Sequence, residues 1–379
     1  MKSRGKNRGW KVDAGKISVN LPALLLAIGV TACGPSPRPI PITPGAVAVE
    51  NTGVVPDSVS IAWRTDTGSG ILAPLLVSNN AVLATTTNRL LVALSTATGR
   101  RYWYQRFDAS VVSGAALLDD AVFIATESRR GEAHRVEYAR GRKRWSRRVG
   151  AVRFAPLVDE GRAIFASDEG RLTAFDARDG SQAWQARFRG TPAMAPMLYR
   201  DRILLATTAD TLYSFSRAGA ELAKLPLPST VSAEPLLSGD TLIAPLHDAR
   251  VYVIALDSPR IARRYPVDGP VLAPPVKHGD AYYVVSRAGS VWELSGAPRR
   301  IATTGSAVRA SFAGAGGRLV AGTLDGRVIA FDTSGAVLWQ LNVGEAVSMP
   351  VTIAGSTIFV PLLEGEVLAL RGSSGRRSQ

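Results

Sequence analysis

The 379-residue sequence is poor in the residue types that most often carry catalytic or metal chemistry. It has one cysteine, Cys33, and three histidines, His134, His247 and His278. A single cysteine excludes intramolecular disulfides, a CxxCH haem motif and any site built from several cysteine ligands. The histidines fall at unrelated positions of the sequence, so we expect them in solvent-exposed turns and not around a shared metal ion.

Sequence motifs for catalysis are also missing. The chain contains no HExxH, GxSxG or P-loop motif, and no GxGxxG in a strand–helix context. Four aspartates of the repeats lie in or beside predicted turns, where accepting backbone hydrogen bonds accounts for them without catalysis: Asp168, Asp176, Asp325 and Asp332. The sequence therefore predicts no catalytic residue, no metal site and no cofactor.

An apolar run near the start of the chain, from Leu21 to Ala32, is too short to span a membrane comfortably. A basic segment precedes the run, which is the arrangement of a secretory signal peptide, predicted here over residues 1–32. The run ends Val-Thr-Ala-Cys, which resembles a bacterial lipobox. We therefore expect Cys33 to be lipidated and to become the mature N-terminus.

Residues 33–57 are rich in proline, most densely in the stretch GPSPRPIPITP from Gly34 to Pro44. Dense proline favours an extended polyproline conformation without a packed core. At about 3.1 Å per residue such a segment could reach roughly 70 Å, so it is predicted to be a tether. Glycine rather than aspartate after the cysteine favours sorting to the outer membrane, with the anchored protein on its periplasmic face.

Beyond the tether, one sequence unit recurs eight times. A polar hairpin turn marks each copy, and successive turns are separated by nearly equal lengths of chain, of roughly forty positions. Repeats of this length indicate solenoids, propellers or arrays. The turns are centred on residues that tolerate a positive φ in most copies: Asn88, Gly131, Gly170, Asp210, Ala249, Gly289, Gly326 and Gly365.

Each unit has the pattern of four short strands. The third strand alternates between apolar and polar residues, as in Arg171–Asp176, and no helical period is visible. A glycine turn follows, and a tryptophan comes four residues later in the best copies. Radial repetition of four antiparallel strands makes a β-propeller, predicted over residues 58–371 with a disordered tail at 372–379. The tryptophans are expected to pack between blades of a monomeric ring: Trp63, Trp103, Trp145, Trp184 and Trp339.

The two ends of the repeat region complement each other. The eighth unit, from Pro350 to about Leu370, has three strands and no tryptophan, whereas Ser58–Asp66 is a single strand that contains Trp63. The separation of Trp63 from Trp103 is close to that between the tryptophans of successive units, which places Trp63 in register as an outer strand. The N-terminal strand is therefore predicted to complete the eighth blade, which leaves no free sheet edge between the chain ends.

The chain is basic, with a formal net charge of +14. The densest basic cluster lies around Trp145 in the second unit: Arg140, Arg142, Lys143, Arg144, Arg147 and Arg148. Such a run is commonly a solvated outer strand and loop; its alternative role is a docking patch for an anionic partner. Nucleic acid is not an expected partner, because the predicted signal peptide takes the chain out of the cytoplasm.

The unit resembles the PQQ-type propeller repeat, in which an Ala-Phe/Leu-Asp strand end is followed by a Thr-Gly turn and a tryptophan. The matching stretches are ALSTATGRRYW, AFDARDGSQAW and AFDTSGAVLW, starting at Ala93, Ala174 and Ala330. The fourth, fifth and sixth units are degenerate, with the tryptophan position expected near Leu222–Ala223, Tyr265 and Ile301.

This resemblance implies one of two functional classes. Quinoprotein alcohol dehydrogenases are longer, carry a vicinal cysteine pair and bind Ca²⁺ with PQQ, which fits poorly with one cysteine. Lipoproteins of the BamB type combine a lipobox, a tether and one eight-bladed propeller, and they scaffold the assembly of outer-membrane β-barrel proteins by binding the barrel-assembly machinery. That non-enzymatic role is the leading hypothesis. The alternatives are a propeller that binds another envelope protein or a polysaccharide, followed by a PQQ-dependent dehydrogenase.

Overall fold

A computed structural model of the protein describes residues 39–41, 48 and 51–372. The predicted signal peptide, Cys33 and the tail from residue 373 lie outside these residues. The described chain is all β, with 33 strands and no helix. Within the described ranges there is accordingly no helix that is long and apolar enough to cross a membrane.

Eight sheets of antiparallel strands follow one another along the chain and form the blades of the predicted propeller. Two strands precede the first complete blade: β1 (Thr52–Gly53) and β2 (Val59–Asp66). Blades one to four are β3–β6 (Leu76–Val77, Ala81–Thr85, Leu90–Ser95, Arg101–Arg106), β7–β10 (Ala116–Leu118, Ala121–Ala125, Glu132–Glu137, Lys143–Arg148), β11–β14 (Leu157–Asp159, Arg162–Ser167, Arg171–Asp176, Gln182–Arg187) and β15–β18 (Met197–Tyr199, Arg202–Thr207, Thr211–Ser216, Glu221–Pro226).

The second half of the ring repeats this order. Blades five to seven are β19–β22 (Leu236–Ser238, Thr241–Leu246, Arg250–Ala255, Arg260–Pro266), β23–β26 (Val276–His278, Ala281–Val285, Ser290–Leu294, Arg299–Thr303) and β27–β30 (Phe312–Ala315, Arg318–Gly322, Arg327–Asp332, Val337–Asn342). The remaining strands are β31 (Thr352–Gly355), β32 (Thr357–Pro361) and β33 (Glu366–Gly372). They belong to blade eight.

The predicted closure of the ring is confirmed. Strand β2 pairs antiparallel with β33, and Trp63 lies opposite Ala369. Strand β1 adds a feature that the sequence pattern did not indicate, because it pairs parallel with β31 at Thr52–Ala354. Blade eight therefore has five strands in the order β1-β31-β32-β33-β2, whereas the other seven blades have four.

The hydrophobic core lies in the seams between blades. The two middle strands of a blade are almost entirely buried, and the outermost strand alternates between exposed and covered residues. Eight clusters of buried side chains each join one blade to the next. The first strands of neighbouring blades, such as β7 and β11, contact each other and surround the axis. Stability is thus shared around the ring as repeated interfaces.

The ring has two faces with different connections. In each antiparallel blade, the turns between the second and third strands and the connections to the next blade lie at one end, which we call the loop face. The turns between the first and second and between the third and fourth strands lie at the other end, which we call the hairpin face. In the loop-face turn of blade one, Arg89 has the positive φ of 65°, whereas the sequence centred this turn on Asn88.

Candidate functional site

A tryptophan on the outer strand joins most neighbouring blades. In the seam between blades one and two, Trp103 is 2% exposed, and its indole N–H donates to the carbonyl of Tyr138, 3.0 Å away. The ring lies against Gly141, at which a Cβ would come within 2.5 Å of the indole. The same donation crosses three further seams, from Trp63 to Thr96, Trp145 to Ala177 and Trp339 to Pro56. Each of these tryptophans therefore links two neighbouring blades through ring packing and a hydrogen bond.

Trp184 is the exception to this pattern. Its indole N–H is buried without a hydrogen-bond partner among the described residues. The hairpin-face turn that it approaches in blade four has four residues between its strands, one fewer than the turn of blade three. The carbonyl of Arg217 in that turn accepts instead from Arg162 Nη1 at 3.0 Å. The shorter turn therefore leaves the indole N–H without an acceptor in the described chain, and Arg162 supplies the cross-blade hydrogen bond of this seam in its place.

The blades without an outer tryptophan are packed differently. In blade five the strand register places Arg263 opposite Val253, the position that tryptophan takes in other blades. The sequence expectation of Tyr265 is thus displaced by two residues, although Tyr265 itself is 5% exposed and packs in the seam. A cleft of about 210 Å³ lies beside Arg263 and Tyr282. In blade four Ala223 stands at the position that tryptophan takes in other blades. In blade six Ile301 lies over Gly335 of blade seven.

The segment before β2 lies on the hairpin face. The Ile40 N–H donates to the carbonyl of Ala139 at 2.8 Å, and its side chain is 1% exposed. Asn80 Nδ2 donates to the carbonyl of Pro41 at 2.9 Å, next to the turn between β3 and β4. Farther round the ring, Arg318 Nη1 donates to the carbonyl of Val55 at 2.6 Å. The described parts of the predicted tether are therefore in contact with the propeller.

The six bases around Trp145 are all exposed, but they differ in their contacts. Arg140 and Arg144 form ion pairs with Glu137. Arg147 donates to the carbonyls of Asp179 and Gly180 in blade three. The remaining three side chains form no ion pair or side-chain hydrogen bond with another described residue: Arg142, Lys143 and Arg148.

The three histidines do not come together. His247 and His278 are exposed, as expected. The expectation is wrong for His134, which lies in β9 at 2% exposure, with Ser146 Oγ 2.8 Å from Nδ1 and the Phe107 ring at 4.7 Å. Burial is the main cause that lowers the pKa of His134 to about 4, and the nearby positive charge of Lys143 lowers it further. The negative charge of Asp108 has the opposite, smaller effect. The sequence pattern missed this because a histidine can replace an apolar residue in a buried strand when one nitrogen is satisfied.

The described residues do not suit the Ca²⁺–PQQ group that the name of the repeat implies. Calcium needs several oxygen ligands, commonly from carboxylates. No group of three or more His, Cys, Asp or Glu side chains within 39–41, 48 or 51–372 is placed to hold a metal ion. The first strands around the axis are mostly apolar, and Asp159 is the one carboxylate among these eight described strands.

The aspartates noted in the sequence satisfy local contacts. Asp176 Oδ1 accepts from the Arg178 N–H at 2.8 Å, and Asp332 Oδ1 accepts from the Ser334 N–H at 2.9 Å. Hydrogen bonds from Ser334 lower the pKa of Asp332. The contacts explain the carboxylates as turn-forming groups.

The loop face presents an apolar and acidic surface in one sector, spanning blades seven, eight and one. Leu72, in the connection to blade one, is 39% exposed, and Leu324, in the loop-face turn of blade seven, is 40% exposed. In the same sector, burial raises the pKa of Glu345, and the neighbouring Glu366 and Glu364 raise it further. We call Leu72, Leu324, Glu345 and Glu364 the loop-face sector. These side chains lie in loops of one face, which makes them the candidate partner-binding residues.

Comparison with known proteins agrees with this architecture. A curated relative, outer membrane protein assembly factor BamB of Moranella endobia (strain PCIT), is 23% identical over 292 residues, covering 59% of this chain and 75% of the relative. The crystal structure of BamB from Moraxella catarrhalis superposes with a TM-score of 0.72 at 14% identity, covering 84% of this chain and 99% of that one. The computationally designed protein Ika8 gives 0.70 at 15% identity, with coverages of 85% and 99%.

The family model described as outer membrane protein assembly factor BamB matches residues 52–129, 106–297 and 296–378. These ranges include all eight blades and the strand that closes the ring. The chain belongs to the outer membrane protein assembly factor BamB family.

Proposed function

We propose that the protein is a non-enzymatic scaffold, anchored to the outer membrane by a lipid, that assists the assembly of outer-membrane β-barrel proteins through protein–protein contacts. The family match across the complete ring is the observation that carries this proposal. The anchor is Cys33, after cleavage of the signal peptide over residues 1–32. The partner is a component of the barrel-assembly machinery, as the names of the relatives suggest.

The loop-face sector is the contact surface that we assign to this partner. The N-terminal segment covers part of the hairpin face, through Ile40 and Val55, and the described residues leave the loop face open. Leu72 and Leu324 are among the few large apolar side chains that the described residues expose. Specific protein interfaces combine apolar side chains with polar and charged ones, and the loop-face sector contains both kinds.

Complementation of a deletion strain tests the proposed function. Loss of the gene should lower the amounts of outer-membrane β-barrel proteins and weaken the envelope, and the intact gene should restore both. The double variant Leu72→Glu, Leu324→Glu should fail to restore them. Normal barrel-protein levels and an intact envelope in the deletion strain would refute the proposal.

A matched variant controls for the general effect of placing charges on exposed apolar positions. Leu222 and Val337 are 50% and 58% exposed on the outer strands β18 and β30, away from the loop face. Leu222→Glu, Val337→Glu should complement like the native chain. If both double variants fail equally, the loop-face sector has no special role.

The anchor is tested separately by Cys33→Ser. The native protein should sediment with membranes, and the variant should remain in the soluble periplasmic fraction. Retention of the variant in the membrane fraction at high salt would contradict lipidation at this cysteine.

A further inference from the structure

The outer strands of blades one and two carry an unusual concentration of positive charge. Residues 96–106 and 138–148, which comprise these strands and the hairpin-face turns that lead into them, contain nine bases and no acid. The equivalent residues of blade seven, 333–342, contain no charged side chain. The charge is therefore a local property of one side of the ring.

At the hairpin-face end of these strands, three bases are free to meet a ligand. Arg100, Arg142 and Lys143 are exposed and form no ion pair or side-chain hydrogen bond with another described residue. Beside them, Arg101 lies over the ring of Tyr104 at 5.0 Å, and this tyrosine is 53% exposed. We call these five residues the anchor patch. Exposed tyrosine next to arginine and lysine is a combination favoured where protein meets lipid headgroups.

The nearby carboxylates do not neutralise the positive charge of the anchor patch, because they pair with other arginines. Glu137 is occupied by Arg140 and Arg144, and Asp120 by Arg135. Those carboxylates lie inward of the anchor patch, on β9 and on the turn between β7 and β8. Coulomb attraction of the free bases to a distant anion is screened over about 8–10 Å at physiological salt, so the patch acts on whatever surface comes close to it.

The path of the chain brings a membrane close to it. Ile40 is fixed in the seam between blades one and two, bonded to Ala139 and packed near Trp103. Cys33 precedes Ile40 by seven residues, which span at most about 25 Å when fully extended. A lipid on Cys33 therefore holds this side of the ring much closer to the bilayer than the whole proline-rich segment could reach.

We propose that the anchor patch binds anionic phospholipid headgroups of the membrane that holds the lipid anchor. Two weak attachments, one acyl and one electrostatic, together fix both the distance and the orientation of the ring. Blades one and two with the hairpin face turn toward the bilayer, and the loop-face sector remains accessible from the periplasm. This inference uses the proposed lipidation of Cys33 and adds a lipid-binding surface to it.

Vesicle flotation tests the proposal on the predicted mature chain, residues 33–379, carrying Cys33→Ser, so that neither an attached lipid nor the basic and apolar segments of the signal peptide contribute. The measured quantity is the increase in binding when pure phosphatidylcholine vesicles are replaced by vesicles of phosphatidylcholine and phosphatidylglycerol mixed two to one. This difference removes any binding that does not depend on the anionic lipid. We expect the increase to be large at low ionic strength and to fall strongly when added salt shortens the screening length.

The decisive variant is Arg100→Gln, Arg142→Gln, Lys143→Gln. Each base near an anionic surface contributes about fivefold to the partition coefficient, so the triple variant should lose roughly 100-fold of the phosphatidylglycerol-dependent binding. The matched control removes three bases from the outer strands of blades five and six, Arg260→Gln, Arg264→Gln, Arg300→Gln. The control should bind almost like the parent chain.

Three results would overturn the proposal. Equal losses in the two triple variants would mean that net charge alone drives binding. Undiminished binding of the patch variant would exclude these residues from the lipid contact. Normal flotation combined with loss of a co-purifying acidic protein from cell membranes would assign the patch to a protein partner. The vesicles contain no protein, so these outcomes are independent of whether the scaffold function holds.

Discussion

Replacement of Trp63 by alanine should open the ring at its closure. The indole is 8% exposed and packs against Phe359, with ring centroids 5.9 Å apart. It also covers Gly99 of blade one, and its N–H donates to the carbonyl of Thr96 at 3.1 Å. Trp63→Ala therefore removes one large packing contact and one hydrogen bond between blades eight and one, while Thr65 and Arg371 keep their hydrogen bonds to blade one.

The size of the effect follows from two contributions. Truncation of a buried tryptophan to alanine costs about 3–5 kcal/mol, which includes the cavity that remains. The hydrogen bond accounts for about 1 kcal/mol of this cost, and Trp63→Phe isolates it together with a small loss of ring area. At about 2 °C per kcal/mol for a domain of this size, Trp63→Ala should lower Tm by roughly 6–10 °C.

Thermal unfolding followed by circular dichroism, with reversibility checked by a second scan, measures this shift. Tyr104→Ala is the control, because Tyr104 is 53% exposed on the outer strand of blade one and its loss should change stability by less than about 0.5 kcal/mol. A Trp63→Ala shift no larger than that of the control would refute the role of Trp63 in closing the ring.

Three other predictions concern single positions. Gly141 and Gly161 both have a positive φ, of 69° and 72°, but a Cβ at Gly141 would meet Trp103 at 2.5 Å, whereas a Cβ at Gly161 has nothing within 4 Å. In urea unfolding, Gly161→Ala should therefore lower the free energy of unfolding by about 1–2 kcal/mol, and Gly141→Ala should lower it clearly more. Equal losses in the two variants would contradict the seam contact. The pKa of His134 is lowered from 6.5 to about 4, so between these pH values the unfolded chain binds a proton that the folded chain does not. The free energy of unfolding should therefore fall by roughly 3 kcal/mol as the pH is lowered through this range. If His134→Gln shows the same pH profile as the native chain, His134 is not the group responsible. Arg263→Trp places an indole beside the cleft of about 210 Å³ between blades five and six and should raise stability by about 0.5–2 kcal/mol; a lower Tm would show that the cleft is not a vacant tryptophan position.

The architecture was predictable because it depends on features that recur. Period-two alternation, hairpin turns and the tryptophan spacing seen between Trp63 and Trp103 return from one unit to the next, so errors in one copy are corrected by the others. Closure of the ring could be predicted in the same way, because counting the strands shows that the eighth unit lacks one and that one strand precedes the first unit. These are local signals that sheet packing does not override.

The details that the sequence did not predict depend on contacts between distant residues. Ile40 docks beside Ala139, which is far from it along the chain, and no periodic pattern marks that contact. The β-bulge between Val253 and Ile254 corresponds to the one between Ala93 and Leu94 in blade one, and it places Arg263 where the tryptophan stands. The turn before this strand has no glycine, so the sequence carries no marker from which that register could be counted. The candidate surfaces follow from the same kind of information, because only the folded chain places the free bases beside the docked segment.

Affinity purification of the intact lipoprotein from native membranes in mild detergent, with mass spectrometry of the bound proteins, tests the central claim most directly. The scaffold account predicts recovery of a barrel-assembly component with the native chain and with Leu222→Glu, Val337→Glu, and its loss with Leu72→Glu, Leu324→Glu. Recovery of an oxidoreductase, secretion or polysaccharide-export component in its place, unaffected by the loop-face variant, would contradict the account.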